Sequence, residues 1–322
     1  MLRVGRRTLQ DLLLLAGVSL FSFALLSIAP GNFYDELRLN PQISAETVAA
    51  IKAQYGMGRS LPVRYFRWLV SMADGEFGYS LEYHQSVASL IWPRARNTLI
   101  LTGLATLLAW LVALPWGTLE ALHRGRWIDR AGGMVTALLL AIPDVLLGLL
   151  LLLLAARTGW FPTGGMASAS GAAGPLAARL WDALLHLFLP VLALVLATLP
   201  ILVRHTRSSM SVALDSTFVQ AARMQGISRS RTLWRYAFPA AMNSLISLFG
   251  FSIGGLLSMS LLMEVVFGWP GLGPLILEAM LARDIYVVMA AVVLSSIFLV
   301  AGNLLADVLL YWNDPRIRQV SP

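Results

Sequence analysis

The sequence contains no cysteine. Disulfides, thiolate metal sites and a cysteine nucleophile are therefore excluded. It contains a single lysine, Lys52, in an Ile-Lys-Ala context. A phosphate-cradling loop of the G-x-x-x-x-G-K-[ST] type cannot be built, so the chain does not hydrolyse ATP by that route. Charge is also scarce: 13% of the 322 residues are Asp, Glu, Lys or Arg, against about 25% in an average soluble domain. Hydrophobic residues make up 57% and the mean hydropathy is +0.72. Too little polar material remains to cover a soluble globule of this size. A soluble enzyme, a disordered chain and a disulfide scaffold are excluded, and an integral membrane protein is indicated. The four histidines, His84, His123, His186 and His205, have no metal-ligand spacing, and Gly271-Leu-Gly273 reads as a turn.

A helix needs about 20 mostly apolar residues to cross the hydrocarbon core. Six stretches qualify: Leu9–Ala29, Thr98–Leu119, Gly132–Ala156, Leu184–Val203, Leu245–Phe267 and Tyr286–Trp312. The first follows Arg3, Arg6 and Arg7 as a signal peptide would. Its apolar run is too long for a signal core, and Ile28-Ala29-Pro30 is a poor cleavage site, so it reads as a retained span. Trp68, Trp92, Trp127, Trp160 and Trp269 fall near the expected interfaces and read as anchors.

Charge sets the expected orientation. With the N-terminus inside, segments 1–11, 120–131, 204–244 and 307–322 hold 14 of the 24 basic and 6 of the 17 acidic residues, a net of +8. The remainder nets −1, the asymmetry that the positive-inside rule requires. The excess of arginine thus reads as membrane topology and not as a nucleic-acid surface. Residues 30–97 become an outside region, with short helices expected over Pro41–Met57 and, after a break at Pro62, over Arg64–Met72. A second outside loop covers 158–183, and its Gly/Ala/Ser-rich part, Thr163–Pro175, reads as flexible. Residues 204–244 form a long, polar, arginine-rich inside loop. No repeat of 20–50 residues is present.

That inside loop carries the most informative pattern. Phe218-Val-Gln-Ala-Ala-Arg-Met-Gln-Gly226 fits a helix closed by a glycine, followed by a second helix from Ser228 towards Tyr236-Ala-Phe-Pro239. Ala221 and Ala222 offer a smooth face for close packing, and Gly226 suits a left-handed C-cap. An amphipathic helix on anionic lipid fits the arginines. A docking helix for a soluble partner fits the spacing.

The spacing resembles the E-A-A-x-x-x-G loop of ABC importer permeases, with Gln220 in place of the acidic residue and Phe238-Pro239 ending the I-x-L-P part. The resemblance extends to the dipeptide/oligopeptide/nickel branch, and to the first of its two membrane subunits. It includes Leu2-Arg3 with Arg6-Arg7, Ala29-Pro-Gly31, Tyr55-Gly-Met-Gly58, Leu61-Pro-Val-Arg-Tyr-Phe-Arg-Trp68, Gly75-Glu-Phe-Gly78 with Ser80, Glu264 to Gly273, Ala282-Arg-Asp284 and Asp314-Pro-Arg-Ile-Arg318. These run from one end of the chain to the other in the order the family has. Asn32, Gln220 and Asp144 depart from the usual pattern.

The resemblance implies an all-α membrane protein with six transmembrane helices in a type I ABC importer permease fold. It places helix 1 at 1–29, an outside insertion at 30–97, the permease core at 98–312 with the coupling loop at 204–244, and an inside tail at 313–322. It implies a transport subunit and no enzyme, in a bacterial inner membrane, that moves di- or oligopeptides. A nickel or metal-chelate permease of the same branch, or a membrane scaffold or sensor for ATPases, are the alternatives. The implied partners are a second homologous permease, two ATPase subunits that bind ATP and Mg, and an extracytoplasmic solute-binding protein. Gln220, Ala221, Ala222, Arg223, Gly226 and Pro239 are the expected ATPase-coupling residues.

Four residues are candidates for the pathway or a gate. Asp144 lies mid-span in the sequence, one residue after Pro143, where a charge is costly and a role is expected. It either contacts a cationic group of the cargo or is protonated or bonded to backbone that Pro143 frees. Glu264 reads equally as a gate or partner contact and as a structural ion pair. Met259 and Met263 are either a soft pathway wall or helix packing. Asp307 reads as a packing or interfacial residue.

Overall fold

A computed structural model describes residues 2–28, 60–80, 82–168 and 174–313, together with Glu46. The helix expected over Pro41–Met57, the Ala29-Pro-Gly31 and Tyr55–Gly58 matches, and the tail after Asn313 lie outside the described residues. The elements are α1 (Leu2–Ile28), α2 (Leu61–Ala73), β1 (Tyr79–Ser80), β2 (Gln85–Ser86), α3 (Val87–Leu122), α4 (Trp127–Ala141), α5 (Asp144–Thr158), α6 (Leu176–Leu214), α7 (Thr217–Met224), α8 (Arg229–Thr232), a π-helical turn (Leu233–Ala237), α9 (Phe238–Val266), α10 (Leu272–Leu281) and α11 (Ile285–Asn313). Among the described residues, five helical runs are long and apolar enough to cross a membrane: Leu9–Ile28, Val87–Leu122, Leu176–Leu214, Arg229–Val266 and Ile285–Asn313. Leu107 and Leu111 on α3, Leu138 on α4 and Leu153 on α5 are exposed, as a hydrocarbon solvent permits.

The sixth span is not the continuous helix expected over Gly132–Ala156. It is a pair, α4 and α5, bent by 93°. Pro143 is the cause. Its ring drives Ile142 into extended backbone, with ψ 122°, and Pro143 has no N–H to continue the ladder. By contrast, Pro190 and Pro200 sit inside α6 without ending it. Both are buried in a helix packed on α4, α5 and α9, and that packing outweighs the lost hydrogen bonds.

The chain divides into two compact units. The first contains Met1–Thr98 and Pro270–Val300, and the second Leu99–Trp269 and Ala301–Pro322. In the first unit, Phe23, Trp68, Met289 and Val293 form a core. The Ser19 hydroxyl and the Tyr65 phenol are 2.7 Å apart. Pro62 does not break α2 but sits in its first turn, where an amide hydrogen has no helical partner anyway. Trp68, expected as an anchor, is 2% exposed and donates from Nε1 to the Phe77 carbonyl at 3.1 Å. Asp284 closes α10 and opens α11. The chain there has Arg283 at φ +55°, with Arg283 N–H bonded to Met280 O and Asp284 N–H to Ala279 O. This is a Schellman closure without glycine.

In the second unit α6 is the central helix, burying Leu189, Leu194, Leu202, Val203 and Met210. Glycines let neighbours approach. A Cβ on Gly117 would lie 2.6 Å from Thr206 Cβ, and one on Gly250 2.6 Å from Ala306 Cβ. Such small-residue contacts are how helices pack where lipid removes the hydrophobic drive. Trp269 is 1% exposed in this core, so it too is no interfacial anchor; Trp92, Trp127 and Trp160 are exposed as expected. The loop after α5 is fastened in its described part. Gly165 N–H donates to Phe267 O, and Ser168 donates from its N–H and hydroxyl to Asp182 at 2.7 and 2.8 Å. Residues 163–168 are therefore held against the unit, where the composition suggested flexibility; 169–173 lie outside the described residues.

A charged cluster ties α3, α4 and α6 together. Arg207 donates to both Asp129 oxygens, at 2.5 and 2.9 Å, and Gly125 N–H adds a third bond to Asp129 at 2.8 Å. Glu120 accepts from Trp116 Nε1 at 2.8 Å and lies 3.9 Å from Arg207. A Cβ on Gly132 would overlap the Glu120 carboxylate, so a larger residue there requires that carboxylate to shift.

Candidate functional site

The loop from Asp215 to Pro239 is built by short-range rules. Ser216 precedes α7 in extended backbone, and Gln220 N–H bonds back to its carbonyl. After α7, Gly226 takes φ +81°. Gly226 N–H donates to Arg223 O at 3.0 Å and Ile227 N–H to Ala222 O at 3.2 Å. Together these make the paired bonds of a Schellman motif. The chain then reverses into α8 and the π-helical turn Leu233–Ala237, two residues before Pro239. The wider turn precedes a residue that cannot donate, and such bulges concentrate at functional sites.

The two faces of α7 differ. Val219 and Ala222, at 0% and 5% exposure, pack into the unit, where α7 meets α6 and α8. Phe218, Gln220, Ala221, Arg223 and Met224 face out, with Met224 86% exposed. Thus the two adjacent alanines do not share a face: Ala221 is presented and Ala222 is packed. Gln220 reaches back to donate from Nε2 to Asp215 O at 3.0 Å. Gly226 and Pro239 are exposed. Sequence reading did not single out Phe218, Met224 or Trp234 as contact residues. All three are exposed, whereas Val219, Ile227, Leu233 and Phe238 of the same loop are buried or half-buried, so packing and no local pattern decides which apolar side chains are presented. Arg223, Arg229, Arg231 and Arg235 are also exposed, so the loop presents both large apolar and basic side chains. It has no catalytic chemistry, and it has the composition of a binding surface.

The four pathway candidates belong to the second unit. Asp144 is the first residue of α5, half-buried at the bend. There it lies beside the amide hydrogens that a helix start leaves unbonded, where a negative charge is favoured. Met263 is fully buried, and its Sδ lies 2.9 Å from where a Cβ on Gly148 of α5 would be. Met259 is half-buried against the core. Glu264 is 0% exposed in the last turn of α9.

In the first unit two sequence matches meet. The Gly75-Glu-Phe-Gly78 turn uses positive φ at Gly75, Phe77 and Gly78 and leads into the β1–β2 hairpin, in which Tyr79 pairs with Ser86 and Ser80 with Gln85. Ser80 Oγ donates to Asp284 Oδ2 at 2.6 Å. Nearby, the Tyr83 phenol donates to Glu278 Oε2 at 2.6 Å. Burial, then the Glu278 carboxylate, push the Tyr83 phenol up to about 12.

The family described as binding-protein-dependent transport system inner membrane component matches residues 105–319. The oligopeptide transport system permease protein AppB of Bacillus subtilis (strain 168) is 35% identical over 314 residues, covering 97% of this chain and 98% of that protein. A putative peptide permease protein of Brucella suis is 31% identical over 317 residues, with 97% of each chain covered. The glutathione transport system permease protein GsiC of Salmonella typhimurium is 31% identical over 304 residues, with 94% of each covered. Among solved structures, a chain of the MetNI methionine ABC transporter in an inward-facing conformation has a TM-score of 0.56 at 16% identity, covering 70% of this chain and 96% of that one. A chain of an amino acid ABC transporter crystallised with histidines has a TM-score of 0.51 at 16% identity, covering 70% and 94%. At these identities the two structures speak for the fold alone, which is the expected all-α type I importer permease. This chain belongs to the binding-protein-dependent transport system inner membrane components, as a multi-pass permease subunit and not an enzyme.

Proposed function

We propose that the chain forms half of the translocation pathway of an ATP-driven importer of di- or oligopeptides. One observation carries the substrate class: full-length relatives at 31–35% identity are named for oligopeptide, peptide or glutathione transport. They favour peptide over a nickel permease or a sensor. The other half is a second homologous permease. Two ATPase subunits bind ATP and Mg, and a solute-binding protein delivers cargo outside, over the region 30–97. Both termini lie inside, with the core over 98–312 and the tail at 313–322, as the charge asymmetry supports.

The coupling residues are Gln220, Ala221, Arg223, Gly226 and Pro239, with Ala222 seating α7 from behind. The α7 patch inserts in an ATPase groove. Val219 and Ala222 pass a push on α7 to α6, the helix against which α4, α5 and α9 pack. Movement of these helices as bodies is the alternating-access logic of transporters. Asp144, at the break in the sixth span, faces the cargo path. Met259, Met263 and Glu264 hold α9 where it passes α5. The test is uptake of labelled di- and tripeptides by cells whose own copy of the system is deleted, with nickel as competitor. Peptide uptake restored by this chain with its partners supports the function; uptake of nickel and of no peptide overturns it.

A further inference from the structure

We propose that the cleft between α4 and α6 binds an anionic phospholipid, its phosphate held by Arg130 and Arg204 and an acyl chain laid along α4. The cleft has a volume of about 370 Å³, at the small end of the range for ligand sites. Arg130, Arg204 and Arg207 line it, with Glu120 and Asp129. The two carboxylates are already engaged. Asp129 takes three hydrogen bonds, two from Arg207 and one from Gly125. Glu120 is 1% exposed and takes Trp116 Nε1. Arg207 is spent on Asp129. Arg130 and Arg204 are different: both are exposed, and neither side chain has a partner among the described residues. The cleft therefore presents two uncommitted guanidinium groups at its mouth, a fork suited to a phosphate.

A lipid is favoured over a protein partner by what lies beyond the mouth. Gly133 and Ala137 follow Arg130 on α4 at helical spacing and continue the cleft wall. A Cβ on Gly133 meets nothing within 4 Å, so the wall is recessed there. Met134 and Leu138 beside it are exposed apolar side chains on a helix of the membrane-spanning set. A recessed, small-residue groove running from two arginines into an apolar helix face matches a headgroup with its chain attached. Basic pockets between transmembrane helices on the inner side take anionic headgroups in this way. That the lipid comes from the inner leaflet rests on the orientation proposed above.

The test uses the full chain co-purified with its partner subunits in detergent, and native mass spectrometry of retained lipid. The probes are phosphatidylglycerol, phosphatidylcholine and inorganic phosphate. Phosphatidylglycerol is expected to be retained over phosphatidylcholine, and Arg130→Gln and Arg204→Gln each to weaken that retention roughly fivefold. Gly133→Leu fills the groove without touching a charge and is expected to weaken phosphatidylglycerol as well, while the thermal midpoint is unchanged. Equal retention of the two lipids, or retention unaffected by all three variants, overturns the proposal. Inorganic phosphate displacing the lipid at matched concentration overturns it in favour of a soluble anion. Loss of ATPase co-purification with lipid retention intact overturns it in favour of a protein contact. The readout is bound lipid, so it does not depend on whether the complex transports peptide.

Discussion

Ser80 and Asp284 lie 204 positions apart in the chain, and the Ser80 hydroxyl donates to Asp284 Oδ2 at 2.6 Å. Both are buried, at 0% and 2% exposure. The same carboxylate accepts from Val287 N–H in the first turn of α11 and from Glu82 N–H in the hairpin. One acidic side chain thus holds a hairpin to a helix start. Asp284→Ala removes a helix cap, worth about 1 kcal/mol, and leaves Ser80 without an acceptor, at about 1–3 kcal/mol. Ser80→Ala removes only the hydroxyl. Thermal unfolding in detergent is expected to place Asp284→Ala below Ser80→Ala, and both below the parent. The reverse order would show that the cap contributes little.

Ala221 and Ala222 are neighbours with opposite surroundings, one exposed and one 5% exposed. Ala221→Trp is expected to reduce ATPase co-purification and leave the thermal midpoint where it is. Ala222→Trp overpacks the seat of α7 and is expected to cost about 1–3 kcal/mol, visible as a lower midpoint. Equal effects of the two on both measurements would remove the assignment of faces.

Gly226 stands at φ +81°. Gly226→Val forces a β-branched residue into the left-handed region at roughly 1–2 kcal/mol or more and breaks the closure of α7. Peptide-stimulated ATPase activity is expected to fall while the permease still inserts and pairs. Gly226→Asn, which tolerates that backbone better, is expected to retain most of the activity.

Asp144→Asn keeps shape and removes charge at the bend. Peptide uptake is expected to fall with assembly unchanged. Uptake equal to the parent would leave Asp144 as a structural residue of the helix start.

Tyr83 carries a phenol raised to about 12 by burial and by Glu278. A raised value means that the folded state holds this proton longer than the unfolded chain. Its contribution is present below pH 10 and is lost as pH climbs through about 12. Tyrosinate absorbance titration of parent against Tyr83→Phe is expected to show one of the 8 tyrosines missing from the late part of the curve. A difference confined to the region near pH 10 would contradict the burial.

Much of the architecture is local and was therefore legible. Long apolar runs announce spans because the hydrocarbon core demands about 20 such residues. The α7 loop follows from Ser216, the helix-forming run and Gly226, all within a few residues of one another. The bend at Pro143 was missed although its cause is also local. The apolar pattern of Gly132–Ala156 resumes directly after Pro143 and Asp144, and a pattern of hydrophobicity carries no information on direction. The same residue type at 190 and 200 does not break α6, since there the neighbours hold the helix.

Amino-acid order alone determined that this chain lives in a bilayer, which stretches are apolar enough to enter it, and where a glycine-closed helix sits between two spans. These rest on composition and on interactions within a few residues. Tertiary structure decided which alanine of an adjacent pair is presented and that Trp68 and Trp269 are core. It also decided that Ser80 meets Asp284, and that Glu120, Asp129 and Arg207 meet in a cleft that Arg130 and Arg204 also line. Each of these depends on which face of a helix is covered and by what. That is set by close packing between elements distant in sequence, which no local pattern encodes.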